Sequence, residues 1–335
     1  MDNIAHTLAG LALAEAGLKR RTALGTATLV IAANLPDVDA LMLLVGDGPD
    51  ALAFRRGWTH GPIAMVALPL LLAAAMVGWD RAFGDKPGRR HTPVNAGWLI
   101  VLAMIGVLSH PLLDLLNTYG VRLLMPFSDR WFYGDALFII DPWLWAMLGI
   151  GVLLSRWRAR RLRDASAGVA RTRTRSTREV PTDARWATRP AFIAIVLFGA
   201  YAAAMVISGR IGREVVSRSA PGAPATRMMV GPVPVNPFRR EVVREVGETY
   251  EMGALTVGAT LAYSPRAAID RGRTAPGIAA ASLSPDGAKF LTWARFPYFR
   301  ADLVGDSIRV RMSDARYADE MGRGWASVVV TVPAR

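Results

Sequence analysis

The chain has 335 residues, 52% of them hydrophobic, with a mean hydropathy of +0.25 and a formal net charge of +13. A composition this apolar at this size excludes an ordinary soluble enzyme and points to a bilayer. There is no cysteine, which excludes thiolate metal sites, disulfides and cysteine nucleophiles and leaves imidazole and carboxylate to hold any metal.

In chain order, Asn3 to Leu18 reads as an apolar helix ending in the basic cluster Lys19, Arg20 and Arg21. No basic start with an apolar core and small-residue cleavage site precedes it, so this helix is expected to stay in the mature protein. Ala23 to Val45 is long enough to span a bilayer but is interrupted by Asn34, Pro36, Asp37 and Asp39. Gly61 to Trp79 is an uninterrupted spanning candidate, and Trp98 to Leu116 carries His110, Pro111 and Asp114 in its last turns. Ala136 to Leu154 and Ala191 to Ile207 complete six hydrophobic segments. Between the last two lie eleven arginines from Arg156 to Arg189 among few apolar residues, a composition that predicts a disordered linker. The expected organisation is a mainly α, polytopic membrane domain over 1–155, an arginine-rich cytoplasmic linker over 156–189, a transmembrane helix over 190–208 and an extracytoplasmic β-rich domain over 209–335.

Basic residues in short loops stay on the cytoplasmic side. Lys19 to Arg21, Arg81 to Arg90 and Arg156 to Arg189 therefore predict three cytoplasmic loops in an inner, multi-pass membrane protein. The N-terminus, the loops 46–59 and 117–135, and everything after Ile207 then face outward. At a rise of roughly 1.5 Å per residue, His6, Asp37, His60 and His110 each fall roughly 20 to 30 Å from the cytoplasmic surface. Four separate segments thus deliver ligand-type side chains to one level near the outer interface, where polar residues are rare without a use.

Each piece alone has a simpler reading. His110 and Asp114 share a helix face and suit either a helix contact or two ligands of one ion. Asp37 and Asp39 after Pro36 suit a turn, Thr59 before His60 a helix cap, and His6 a packed core histidine. His91, in a basic loop, is expected to be a bystander.

These residues fall in motifs: Ala5-His6-Thr7-Leu8-Ala9-Gly10, Asn34-Leu35-Pro36-Asp37-Val38-Asp39, Arg56-Gly57-Trp58-Thr59-His60 and Ser109-His110-Pro111-Leu112-Leu113-Asp114. With Asn117-Thr118-Tyr119-Gly120 and Leu124-Met125-Pro126-Phe127-Ser128, they resemble, in order and over roughly the first 155 residues, the inner-membrane metal-dependent hydrolases of the YdjM/YbcI type. Where that family commonly has a histidine before Arg-Gly, this chain has Arg55. The resemblance implies a distant relation to zinc-dependent phospholipases C and single-strand nucleases, a fold-level analogy that transfers chemistry weakly.

The expected metal ligands are His6, Asp37, Asp39, His60, His110 and Asp114, with Asp37, Asp39, His60, His110 and Asp114 as the catalytic set. One aspartate bridges or orients a water. Zinc suits these ligands in a hydrolytic site, and manganese or iron accepts them too. The expected substrate is a phosphoester, with a phospholipid entering from the membrane lipid as one form of it. Arg55, Arg56, Arg122 and Arg130 lie on the outward side against the charge rule. Guanidinium groups suit phosphate oxygens, although pairing with Asp47, Asp50, Asp129 and Asp135 is the plainer reading.

After the sixth helix, short strands are expected over 227–235, 241–246, 249–263, 290–296, 307–312 and 325–332. Trp293, Phe296, Tyr298 and Phe299 read as a strand of the core or as an aromatic patch against lipid. A transporter using the same His and Asp residues as an ion or proton relay is the alternative function. No nucleic-acid partner is expected, because the arginines are confined to one loop with few aromatic residues for stacking.

Overall fold

Helix starts in the first half are set by capping side chains. In the computed structural model, which describes residues 1–42, 48–84, 94–171, 184–220, 222–258 and 260–334, the Asp2 carboxylate accepts the Ile4 and Ala5 amides and opens α1 (Asn3–Glu15). Helix α2 (Gly25–Asn34) passes directly into a 3-10 segment, Leu35–Leu41, because Pro36 and the acidic residues after it cannot continue the apolar α-helix. Next come α3 (Gly48–Phe54), α4 (Pro62–Phe83), α5 (Ala96–Leu115, capped by Asn95), α6 (Pro142–Arg171) and α7 (Ala184–Ser219).

Among the described residues, three helices are long and apolar enough to cross a membrane: Pro62–Phe83, Ala96–Leu115 and Arg185–Ser219. Helices α1 and α2, with 13 and 10 residues, fall short of the roughly 20 residues a span requires. The fifth segment does not stop at Leu154. It continues as α6 to Arg171, so the first part of the expected linker is helical, as is the part from Ala184 onward. Residues 172–183, and His91 with its loop, lie outside the described residues.

The chain divides into two compact units, residues 1–38, 57–134 and 139–204 in the first and 39–56, 135–138 and 205–335 in the second. This differs from a boundary at residue 209, since two short pieces of the N-terminal half belong to the second unit. In the first unit α2 is the central helix and packs on α1, α4 and α5. Its contacts are close because neighbouring positions carry no side chain. A Cβ at Gly10 would stand 2.8 Å from the Leu29 carbonyl oxygen, and one at Gly106 would stand 2.5 Å from Ala32 Cβ. The Asn34 amide donates to Thr7 Oγ1 (3.1 Å) and to the Val30 carbonyl (2.9 Å), pinning α1 to the end of α2.

The second unit contains two antiparallel sheets. Strands β1 (Arg227–Pro232), β2 (Arg239–Val246), β3 (Thr249–Val257) and β4 (Leu261–Asp270) form a four-stranded meander in sequence order. Strands β5 (Pro297–Val304), β6 (Ser307–Asp314) and β7 (Ser327–Pro333) form a three-stranded one. The expected strand 249–263 is a hairpin of two strands. The expected strand 290–296 is instead the end of a helix: after α8 (Ile278–Leu283), α9 spans Pro285–Trp293. Ser284 caps α9 by accepting the Gly287 amide (3.1 Å), and Pro285 occupies the first turn, a start signal in Ser-Pro-Asp that outweighs the aromatic β-propensity downstream. Trp293, Phe296, Tyr298 and Phe299 are all buried, which settles them as core residues. Asp135 belongs to this unit and is held by Arg213 (2.6 Å) and bidentately by Arg295 (2.8 and 3.1 Å).

At the end of β6, fully buried Asp314 accepts the amides of Arg295 (2.6 Å), Phe296 (3.2 Å) and Arg316 (2.9 Å), and its two oxygens take the Arg316 guanidinium at 2.9 Å each. Burial alone would raise the pKa of this carboxyl. Arg316 and the amides outweigh that and hold it below the usual carboxylate value. A depressed folded-state pKa gives a stabilisation that is present above the unfolded value of about 3.9 and lost as pH falls through the folded one. Asp314→Asn is therefore expected to cost about 3–5 kcal/mol, read as a loss of hydrogen-exchange protection in β5 and β6. The wild-type chain should hold that protection down to about pH 4 and lose it in stronger acid; unchanged protection in the variant would contradict the assignment.

Candidate metal centre

The C-terminal turn of α5, the 3-10 segment after α2, the start of α1 and the turn before α4 each contribute one or two polar side chains to a single buried spot in the first unit. Asp114 is at its middle. Its Oδ1 lies 3.4 Å from His6 Nε2, and its Oδ2 lies 3.4 Å from His60 Nε2 and 3.6 Å from His110 Nε2. Asp37 Oδ1 stands 3.6 Å from the same His110 nitrogen. His6 stacks on His110, ring centroids 3.7 Å apart and planes 13° from parallel, and the His60 ring meets the His110 ring at an angle 4.9 Å away. All five residues are buried. The Met1 ammonium, also buried, is paired with Asp114 Oδ1.

Two of the rings are oriented from behind. His110 Nδ1 is 2.7 Å from the Ala33 carbonyl. A carbonyl only accepts, so Nδ1 carries a proton and the ring is turned with Nε2 toward Asp37 and Asp114. His60 Nδ1 is 2.9 Å from Thr59 Oγ1, which turns its Nε2 toward Asp114. Thr59 is thus not the helix cap it resembles in sequence. Gly61 takes the cap position of α4 without a side-chain hydrogen bond, with Pro62 next to it.

Among the described residues, Asp37, His60, His110 and Asp114 form a group whose ligand atoms all lie within 4.8 Å of one another. The spacings carry information. Ligand atoms placed tetrahedrally at about 2.0–2.1 Å from a zinc ion stand roughly 3.3–3.4 Å apart; the His60–Asp114, His110–Asp114 and Asp37–His110 pairs stand at 3.4, 3.6 and 3.6 Å, and the group as a whole lies within 4.8 Å. Buried carboxylates need compensating positive charge, part of which the Met1 ammonium supplies at Asp114. The donor set, histidine nitrogen and aspartate oxygen, could hold a metal ion.

The remaining expected residues are distributed differently. Asp39 belongs to the second unit, where Oδ2 accepts the Arg56 amide (2.7 Å) and Oδ1 faces Arg55 Nε at 3.9 Å; it is not in the four-residue ligand group. Arg55 and Arg56 lie in that unit as well. Arg122 is in the first unit and buried, with its guanidinium so close to Gly57 that a Cβ there would stand 2.7 Å from Nη2. Gly57 accepts the His60 amide (2.9 Å), so Arg122 sits against the turn that carries a ligand. It also lies over Trp131 (4.9 Å) and faces exposed Asp129 at 3.7 Å. Arg130 is exposed over Phe132 (5.2 Å). Of the other expected acidic partners, Asp50 pairs with Lys289 (2.5 Å) and Asp135 with Arg213 and Arg295; Asp47 lies outside the described residues.

Sequence reasoning passed over the groups behind the ligands. Thr59 and the Asn34–Thr7 bond had a signal, polar residues beside ligands in apolar segments. The Ala33 carbonyl had none, being main chain.

Residues 1–210 match the family described as YdjM inner membrane protein. The chain belongs to that family. The YdjM match runs past the sixth hydrophobic segment and so covers every residue of the centre together with α6 and the apolar part of α7. As a YdjM protein with three apolar helices of spanning length, it is an inner-membrane protein. No curated protein and no solved structure matches it.

Replacing His110 and Asp114 together by alanine is expected to abolish metal binding to the detergent-purified chain, measured by elemental analysis. Thr59→Val, which removes only the group behind His60, should weaken binding by about 10–100-fold. Metal content unchanged in the double variant would reject the centre.

Proposed function

We propose that this YdjM protein is a membrane-bound, metal-dependent hydrolase acting on a phosphoester, with a phospholipid as the form of substrate its setting favours. The observation that carries the proposal is the ligand-like spacing of the His6, Asp37, His60, His110 and Asp114 side-chain atoms in a buried pocket. Asp37, His60, His110 and Asp114 would hold the ion, with His6 beside Asp114; zinc suits these donors, and manganese or iron would be accepted by the same atoms. A divalent ion so held supplies Lewis acidity and a water acidified toward neutrality.

The chain's own groups do the rest. The Asp37 carboxylate would orient the attacking water beside the ion. His110, fixed through its Nδ1, keeps one orientation throughout. Arg122 binds a phosphate oxygen, as a guanidinium fork does in preference to a point charge, with Arg130 of the same unit as a further anchor for an anionic head group. The implied relation to zinc phospholipases C and single-strand nucleases agrees with this chemistry by analogy only. The charge of the basic segments supports an orientation with the centre near the outer interface and the β-rich unit outside the cytoplasm.

The purified chain is expected to hydrolyse a chromogenic phosphodiester, to lose that activity on chelation and to regain it with zinc. Arg122→Gln should raise KM by about tenfold, the worth of one charge-assisted contact, with metal content unchanged. Ion flux into proteoliposomes without hydrolysis would favour the relay function instead.

A further inference from the structure

The first unit holds a second feature, remote in sequence from every residue of the centre. Between α6 and α7 runs a groove of about 500 Å³ lined by Trp143, Met147, Ile150 and Leu154 of α6 and by Ile193 and Leu197 of α7, with Arg158 at one end. The helices touch at its floor, where Gly151 has no room for a side chain: a Cβ there would stand 2.3 Å from Ala194 Cβ. Beside the floor, the Ala191 amide donates to Ser155 Oγ (3.0 Å). The side chains of Trp143, Ile150, Leu154, Ile193 and Leu197 are exposed in the isolated chain.

Two properties of the groove decide what fills it. From Trp143 to Leu154 the wall spans eleven residue steps, about 16 Å of helix rise, which is one leaflet of a hydrocarbon core about 30 Å thick. Arg158, one turn further on, ends the apolar wall where the run of arginines begins. It is also the one charge in the lining. Pro190 has no N–H to offer the Trp186 carbonyl four residues before it, and Arg158 Nη1 takes that carbonyl at 3.2 Å while the guanidinium lies 4.8 Å over the Trp186 ring. This fixes the guanidinium at the groove's end. Its Nε is buried and has no hydrogen-bond partner among the described residues. Around it the sequence places Arg160, Arg161 and Arg163 on α6 and Arg185 and Arg189 on α7, with Asp164 among them; Arg156 is paired with Glu15 (3.0 Å).

We propose that the groove is a binding site for an anionic phospholipid of the surrounding bilayer, one acyl chain lying along the apolar wall and the phosphate resting at Arg158. Basic pockets at the ends of membrane helices select anionic head groups in this way. The site is independent of the metal centre, and the lipid bound there is a resident of the fold rather than a substrate.

The test uses the full chain in nanodiscs of phosphatidylcholine with a minority of phosphatidylglycerol, counting by native mass spectrometry the lipids retained after mild detergent exchange. Phosphatidylglycerol should be retained in preference to phosphatidylcholine. Arg158→Gln should reduce that retention about fivefold, the equivalent of the ~1 kcal/mol one basic residue contributes near an anionic surface. Ile193→Trp keeps the charge but fills the groove and should also lose the lipid, while Arg160→Gln, outside the lining, should keep it. Equal retention of the two lipids, retention unchanged in both groove variants, or a second copy of the chain replacing the lipid would overturn the proposal.

Discussion

A carboxylate sunk among apolar helices is costly unless charge or hydrogen-bond donors surround it, and Asp114 is such a group. Its two oxygens face three imidazoles and the Met1 ammonium. The packing that buries it also assembles the centre, because α1, α5 and the turn before α4 each bring one of those partners. The small residues at the helix contacts serve the same end. Gly106 lets α5 approach α2 closely enough for His110 to reach a main-chain oxygen, and Gly57 leaves room for Arg122 beside the turn that carries His60. Removing Asp114 would leave the histidines without their common neighbour.

Much of this was legible in the sequence. His6, Asp37, His60, His110 and Asp114 stand out because apolar segments seldom carry ionisable groups, and counting residues from the basic loops put them at one depth. Asp39 could not be separated from Asp37 in that way. Two positions apart beside a proline, they have the same depth and chemistry, and only the Arg56 amide that Asp39 accepts distinguishes them. Thr59 was visible but ambiguous, since a threonine before Gly-Pro caps helices as readily as it orients a ring.

The second unit was harder to read, for a physical reason. Its β-character was plain from alternating residues, but Phe290 to Phe296 has aromatic content that suits a strand and belongs to a capped helix up to Trp293. Local propensity there yields to the start signal at Ser284 and Pro285 and to burial of Trp293 in the core. The arginines after Leu154 misled in a different way. Read as a block of like charge they imply disorder, yet arginine is a good helix former, and α6 simply extends through the first of them.

The two ring-orienting contacts differ in how they stand up to change. Ala33 serves His110 through an oxygen that every amino acid possesses, so no exchange of side chain at position 33 deletes the acceptor as long as the helix keeps its path. His60 depends on a hydroxyl that a single codon change removes. The centre thus has one histidine whose tautomer is insured by the main chain and another that is open to tuning. Natural or laboratory variation in how the rings are set has its easiest entry at the second.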